Sequence, residues 1–227
     1  MNKQGFTTRQ VHADRVLNKP ADGTVHTATT NSVLYAFDDA QGIIDVFQGK
    51  VLGHVYSRSS SPSIASLQNI LNELEGGVGA VCFATGMAAI SGTLLSLLKA
   101  GDHIIMSQYL FGNTRCFADT MADLGIQISF ADVTSVDDVK ALYQPNTRAV
   151  FSETVANPAT QVADVHAIGQ FCKEKSLLFI LDNTMTPPPL FDAKAAGASM
   201  VISSLTKYVS GHGNVLGGVV VDLGNYD

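Results

Sequence analysis

The sequence predicts an α/β fold: a mostly parallel seven-stranded sheet with helices on both faces, preceded by an extended N-terminal arm. Two observations carry that expectation. Short apolar runs alternate with segments of helical spacing from Ser63 onward, and the residues before about position 60 lack this alternation. The chain has 227 residues, enough to bury a substantial core.

The arm, residues 1–60, is rich in Thr and Ser and punctuated by turn signals such as Asn18-Lys19-Pro20 and Asp22-Gly23. Short helices are expected in it around Asp38 to Phe47. In the large domain, residues 61–227, strands are expected at Ala80–Phe83, His103–Ser107, Ile126–Phe130, Ala149–Ser152, Leu177–Leu181, Met200–Ser203 and Gly217–Val221. Helical spacing covers Met87–Leu98, Asn113–Leu124, Val136–Leu142 and His166–Lys175, with Asp164 as the expected N-cap of the last.

Composition narrows the function classes. Apolar residues make up 46% of the chain and charged residues 15%, a balance that points to some surface being buried against a partner or a further segment. The formal net charge of −6 and the lack of a basic cluster argue against nucleic-acid or membrane-surface binding. Cys82, Cys116 and Cys172 are widely spaced, which suits reduced, buried thiols better than a disulfide frame. The six histidines are scattered, so a metal site has little support. No signal peptide or membrane-spanning run is evident, so a cytoplasmic location is expected.

In parallel α/β sheets ligands bind beyond the carboxyl ends of the strands, so the residues following each run matter most. After the first run comes Ala84-Thr85-Gly86-Met87, a strand, a tight turn and a helix start whose backbone amides form an anion cup. Neither GxGxxG at that turn nor GxxxxGK[ST] anywhere supports a nucleotide fingerprint. After the fifth run stands Asp182, a strand-tip carboxylate whose ionised form needs a cationic partner. After the sixth comes Ser204-Leu205-Thr206-Lys207-Tyr208, with a lysine expected to be desolvated and hence nucleophilic, and two hydroxyls able to reach a phosphate. Ser204 and Lys207 also fit SxxK, but the SDN and KTG partners of that signature are missing. A phosphate cup, an acid and an amine at one sheet edge are what pyridoxal 5'-phosphate (PLP) requires for its phosphate, ring nitrogen and aldehyde.

Taken together, Tyr56-Ser57-Arg58, Gly86-Met87, Phe111-Gly112, Glu153 with Asn157-Pro158, Asp182-Asn183 and Ser204-Leu205-Thr206-Lys207-Tyr208 with Gly211-His212 resemble the Cys/Met-metabolism family of fold type I PLP enzymes. The resemblance implies that Lys207 holds the cofactor as a Schiff base and moves protons, with Asp182 paired to the pyridine nitrogen. It implies that the Gly86 and Met87 amides and the Ser204 and Thr206 hydroxyls hold the phosphate, that Phe111 stacks on the ring, and that Asn157 lies near the phenolic oxygen. Tyr56 and Arg58 would reach the phosphate of a neighbouring subunit, making the site a dimer property within a homotetramer. Ser61-Pro62-Ser63 stands where the family often has Asn-Pro-Thr.

Phe111 in place of a tyrosine looks more like the sulfhydrylases of the family, homoserine-ester enzymes of methionine biosynthesis, than its lyases. The expected activity is therefore γ-replacement on an O-acyl homoserine. Cystathionine γ-synthase, methionine γ-lyase or cystathionine lyase chemistry is the alternative. A third expectation is a PLP-binding fragment without turnover, because family members continue past the lysine into a C-terminal domain not present in this sequence.

Overall fold

The computed structural model describes residues 5–15 and 23–226. The turn signals at Asn18-Lys19-Pro20 and Asp22 therefore lie outside the described residues. The chain divides into two compact units, Met1–Glu73 and Leu74–Asp227.

The first unit contains three α-helices among its described residues. These are α1 (Phe6–His12), followed by a 3-10 turn at Ala13–Arg15, α2 (Ala40–Phe47), and most of α3 (Pro62–Glu75). Helix α2 falls where the arm was expected to be helical, and Asp39 caps it by accepting from the Gly42 amide at 2.8 Å. Helices α1 and α3 were not anticipated. The start of α3 is readable in retrospect, since Ser61 Oγ accepts from the Ile64 amide at 3.3 Å and Pro62 occupies the first helical position. That also gives a physical reason why Ser-Pro-Ser serves where Asn-Pro-Thr is common, because Ser and Asn are comparable N-caps.

The second unit is a seven-stranded sheet in the order β1-β7-β6-β5-β4-β2-β3. Its strands are β1 (Gly79–Phe83), β2 (His103–Ser107), β3 (Gln127–Ala131), β4 (Thr147–Glu153), β5 (Leu178–Asp182), β6 (Met200–Ser203) and β7 (Gly218–Asp222). The connecting helices are α4 (Gly86–Leu97), α5 (Gly112–Asp123), α6 (Val136–Ala141) and α7 (Val165–Lys175). All seven expected strands and four expected helices are present, displaced by no more than a residue or two at their ends.

Period-two alternation explains why both faces are apolar. Ile104, Met106, Phe151, Ile180 and Ile202 join residues of α4 and α5 in one core. The intervening Ile105, Val150, Phe179, Leu181 and Val201 are equally buried on the other side, where α7 packs against β5 through a buried face that includes Ile168 and Phe171. Strand β7 alone runs against its neighbours, pairing antiparallel with both β1 and β6. All the others therefore end at the same edge, and β7 begins there.

Two expectations need correction. Asp164 stands at the N-cap of α7, but its side chain makes no capping bond, because the backbone at φ −78°, ψ 64° departs from the extended cap geometry. The cysteines are all free, but only Cys172 is buried, with Cys82 intermediate and Cys116 exposed. Residue 116 lies on α5, whose buried positions are Thr114, Ala118 and Met121, so the thiol faces outward.

Candidate active site

The common edge brings together the ends of β1, β6, β5, β4 and β2. At β1 the chain turns through Thr85 into α4. Thr85 Oγ1 caps the helix by accepting from the Ala88 amide at 3.0 Å, which leaves the Gly86 and Met87 amides as helix-end donors without an intrahelical acceptor. The turn is packed too closely for any side chain at its centre. A Cβ on Gly86 would meet Ser204 Cβ at 2.8 Å and Oγ at 2.9 Å, and a Cβ on Gly218 would meet the Thr85 carbonyl oxygen at 2.3 Å. The first turn of α4, the tip of β6 and the start of β7 thus form one cradle of backbone amides and a hydroxyl.

Asp182 closes β5. Its Oδ1 accepts from the Thr184 amide at 3.0 Å, and Thr184 Oγ1 accepts from the Ser204 amide at 2.8 Å. The acid is thereby linked to the amide cradle through a single residue. Burial pushes the Asp182 carboxyl above its ordinary range, against the lowering effect of its bonds with Thr184. Among the described residues no cation forms an ion pair with it. The neighbouring Asn183 is fully buried, and its Oδ1 accepts from Thr154 Oγ1 at 2.8 Å and Thr186 Oγ1 at 2.6 Å, holding the loop after β5 in place.

Glu153 closes β4, one strand over, where Glu153 pairs in register with Asp182. Its Oε1 accepts from the Phe111 amide at 2.6 Å, and the Asn157 amide faces the same carboxylate and helps lower its pKa. Burial raises this acid to about 7, with the charge of Asp182 adding to the effect and the two amides opposing it. The Phe111 side chain is 44% exposed and Asn157 is exposed, so both present their side chains outward from anchored backbones.

Lys207 lies in the turns after β6, with its amide donating to the Ser204 carbonyl at 3.2 Å. It stands at the same edge as Asp182, as the sequence suggested, but its expected burial is not observed: Lys207 is exposed. The chain leaves the sheet at Ser204 and loops over the surface before returning at Gly217, so only Leu205 in this segment points into the core. Thr206 Oγ1 is engaged with Gly217, accepting from its amide at 3.2 Å and donating to its carbonyl at 3.3 Å. Tyr56 and Arg58 belong to the first unit, where the Arg58 guanidinium lies over the Tyr56 ring at 4.8 Å from its centroid. Sequence reasoning missed the bridging role of Thr184 and the anchoring role of Glu153. An Asp-x-Thr sequence at a strand tip is a recognisable Asx-turn signal, whereas nothing local marks a carboxylate that reaches across 42 positions.

An acid at the end of a central strand, helix-start amides three strands away and a lysine after the strand beside the acid, all at one edge of an α/β sheet, define a PLP-dependent enzyme of fold type I. The chain belongs to the Cys/Met metabolism PLP-dependent enzymes, whose family model matches residues 7–226. It is 39% identical over 227 residues to O-acetyl-L-homoserine sulfhydrylase of Corynebacterium glutamicum, covering 98% of this chain and 51% of that protein. It is 34% identical to L-methionine gamma-lyase of Fusobacterium nucleatum, covering 96% of this chain and 55% of that protein. A crystal structure of a putative O-acetylhomoserine (thiol)-lyase from Campylobacter jejuni, containing pyridoxyl-lysine monophosphate, superposes with a TM-score of 0.91 at 29% identity, covering 97% of this chain and 52% of that one. The chain spans about half the length of the curated relatives it matches.

The cofactor of this family is PLP, and the edge fits it on two counts. With no Cβ at Gly86, the first-turn amides of α4 and the Ser204 hydroxyl sit directly against one another, and Asp182 is an acid whose burial its bonds to Thr184 only partly offset, which suits a cationic partner such as a protonated ring nitrogen.

Proposed function

We propose that the protein carries out γ-replacement on an O-acyl homoserine with sulfide, giving homocysteine and the free carboxylic acid. The observation that carries this reading is Phe111, an aromatic ring without a phenolic proton at the exposed turn after β2. The similarity to an O-acetyl-L-homoserine sulfhydrylase over 98% of the chain supports it.

When bound, PLP supplies an electron sink for negative charge at the substrate's α-carbon. The Gly86 and Met87 amides and the Ser204 hydroxyl hold the phosphate, with Thr206 beside them once its bonds to Gly217 yield. Asp182, as the carboxylate, accepts from the ring N–H and keeps that proton in place. Phe111 would pack against the ring, and Asn157 would lie near its phenolic oxygen. Lys207, on a mobile four-carbon stem, takes the α-proton and returns it after the exchange at the γ-carbon. Its exposure suits an amine that must swing between two positions.

Tyr56 and Arg58 serve the phosphate in a neighbouring subunit, where a guanidinium grips the dianion through two hydrogen bonds. The working form is therefore a dimer or a pair of dimers. Among the described residues no helix is long and apolar enough to cross a membrane, and the reading places the protein in the cytoplasm.

Supplying the PLP-loaded protein with O-acetylhomoserine and sulfide, O-acetylhomoserine and cysteine, or methionine alone tests the assignment. Homocysteine from sulfide should dominate. Faster breakdown of methionine, or faster condensation with cysteine, would replace the assignment with lyase or cystathionine γ-synthase chemistry. A yellow protein inert to all three would mark a cofactor binder that does not turn over.

A further inference from the structure

Glu153 sits in an unfavourable place for an acid. It is 8% exposed, faces Asp182 in register on the adjacent strand, and has no ion pair with a cation among the described residues. What it gains there is a 2.6 Å bond from the Phe111 amide in the turn after β2, with the Asn157 amide of the loop after β4 facing the same carboxylate. Phe111 has no side-chain capping bond at the start of α5, whereas the Asn157 loop is a hairpin closed by the Val155–Val162 bridge, with Ala156 donating to Gln161 at 2.8 Å, Thr160 donating to Ala156 at 2.9 Å and Ala163 donating to Thr154 at 3.1 Å.

We propose that Glu153 is a positioning residue: its carboxylate clamps the backbone of Phe111 to the end of β4 and draws that of Asn157 toward it, fixing the ring-stacking wall and the phenolic-oxygen contact relative to Asp182. This inference rests on the reading that PLP binds at this edge. It assigns the value of Glu153 to its reach and acceptor oxygens and not to its charge. A second negative charge beside Asp182 opposes ionisation of both. A side chain of the same length with a neutral acceptor should therefore substitute, and a shorter carboxylate should not.

Glu153→Gln and Glu153→Asp separate the two. In the 227-residue protein, amide hydrogen exchange would be followed at Phe111 and Asn157, with Val150 and Phe151 as controls for global opening. PLP affinity and the induced circular dichroism of the bound cofactor would be read on the same samples. The expected result for Glu153→Asp is about tenfold faster exchange at the two loop amides, PLP binding weaker by about tenfold, and an altered dichroism band. Glu153→Gln should stay within about threefold of wild type in affinity and keep the band.

Wild-type-like exchange and binding in Glu153→Asp, or a loss in Glu153→Gln as large as in Glu153→Asp, would overturn the inference alone. A wild-type protein that takes up no PLP would overturn the parent reading and this one with it. If Glu153→Asp fails to fold, Glu153→Gln decides: a retained band supports the clamp, and a lost one refutes it.

Discussion

Asp182 concentrates the physical argument at the scale of single residues. Its bonds to Thr184 only partly offset the desolvation that holds its carboxyl high, so the folded chain bears a cost that a cationic ligand would relieve. Asp182→Asn should therefore leave the cofactor-free protein at least as stable as wild type in urea. PLP affinity should fall about 10- to 100-fold, the worth of one charge-assisted hydrogen bond. Unchanged affinity would mean that the ring nitrogen finds another partner. Asp182 and Gly86 were legible in the sequence because a strand tip and a Gly turn are local signals. The exposure of Lys207 was not, because it depends on where the segment between Ser204 and Gly217 leaves the sheet. The contact of Glu153 with Phe111 links residues 42 apart and becomes visible only once β4 and β2 are neighbours.

Among the elements, the strands were the most legible, since runs such as His103–Ser107 and Met200–Ser203 are continuous apolar segments bounded by turns. The reversed direction of β7 was not, as an apolar run carries no mark of its orientation. Helix α3 was overlooked although Ile64, Leu67, Ile70, Leu71 and Leu74 recur in it at helical spacing; of these only Leu71 is buried in the structure. Its C-terminal Glu75 carries a pH signature. Burial, aided by the charge of Asp192, raises Glu75 from its ordinary 4.5 to about 7. The folded state then binds more protons than the unfolded state between those values. Stability contributed by this group is complete below about 4.5 and lost as pH rises through about 7. Glu153 acts with the same sign. The urea midpoint should fall between pH 5 and pH 8, and Glu75→Gln should reduce that slope and raise the midpoint at pH 8, where the carboxylate is charged at a helix C-terminus. An unchanged slope would place the pH dependence elsewhere.

For the whole molecule, the proposed site needs two chains, with Tyr56 and Arg58 completing the phosphate contacts of a neighbour. Complementation is a direct consequence. Arg58→Ala and Lys207→Ala proteins should each be impaired in taking up PLP as a covalent, yellow species. Mixed subunits should recover part of the colour, because one of the two sites in a mixed dimer is then intact. No recovery, from subunits proven to exchange, would confine Tyr56 and Arg58 to the first unit, where the cation stacks on the ring. The central claim is that an amine, an acid and an amide cradle at one sheet edge hold PLP through Lys207. Reduction of the PLP-treated protein with borohydride, followed by peptide mass analysis, tests it most directly. The account predicts one pyridoxyl group per chain on the peptide containing Lys207, and none on that peptide in Lys207→Ala. Stoichiometric modification of a different lysine, or no yellow species at all, would contradict it.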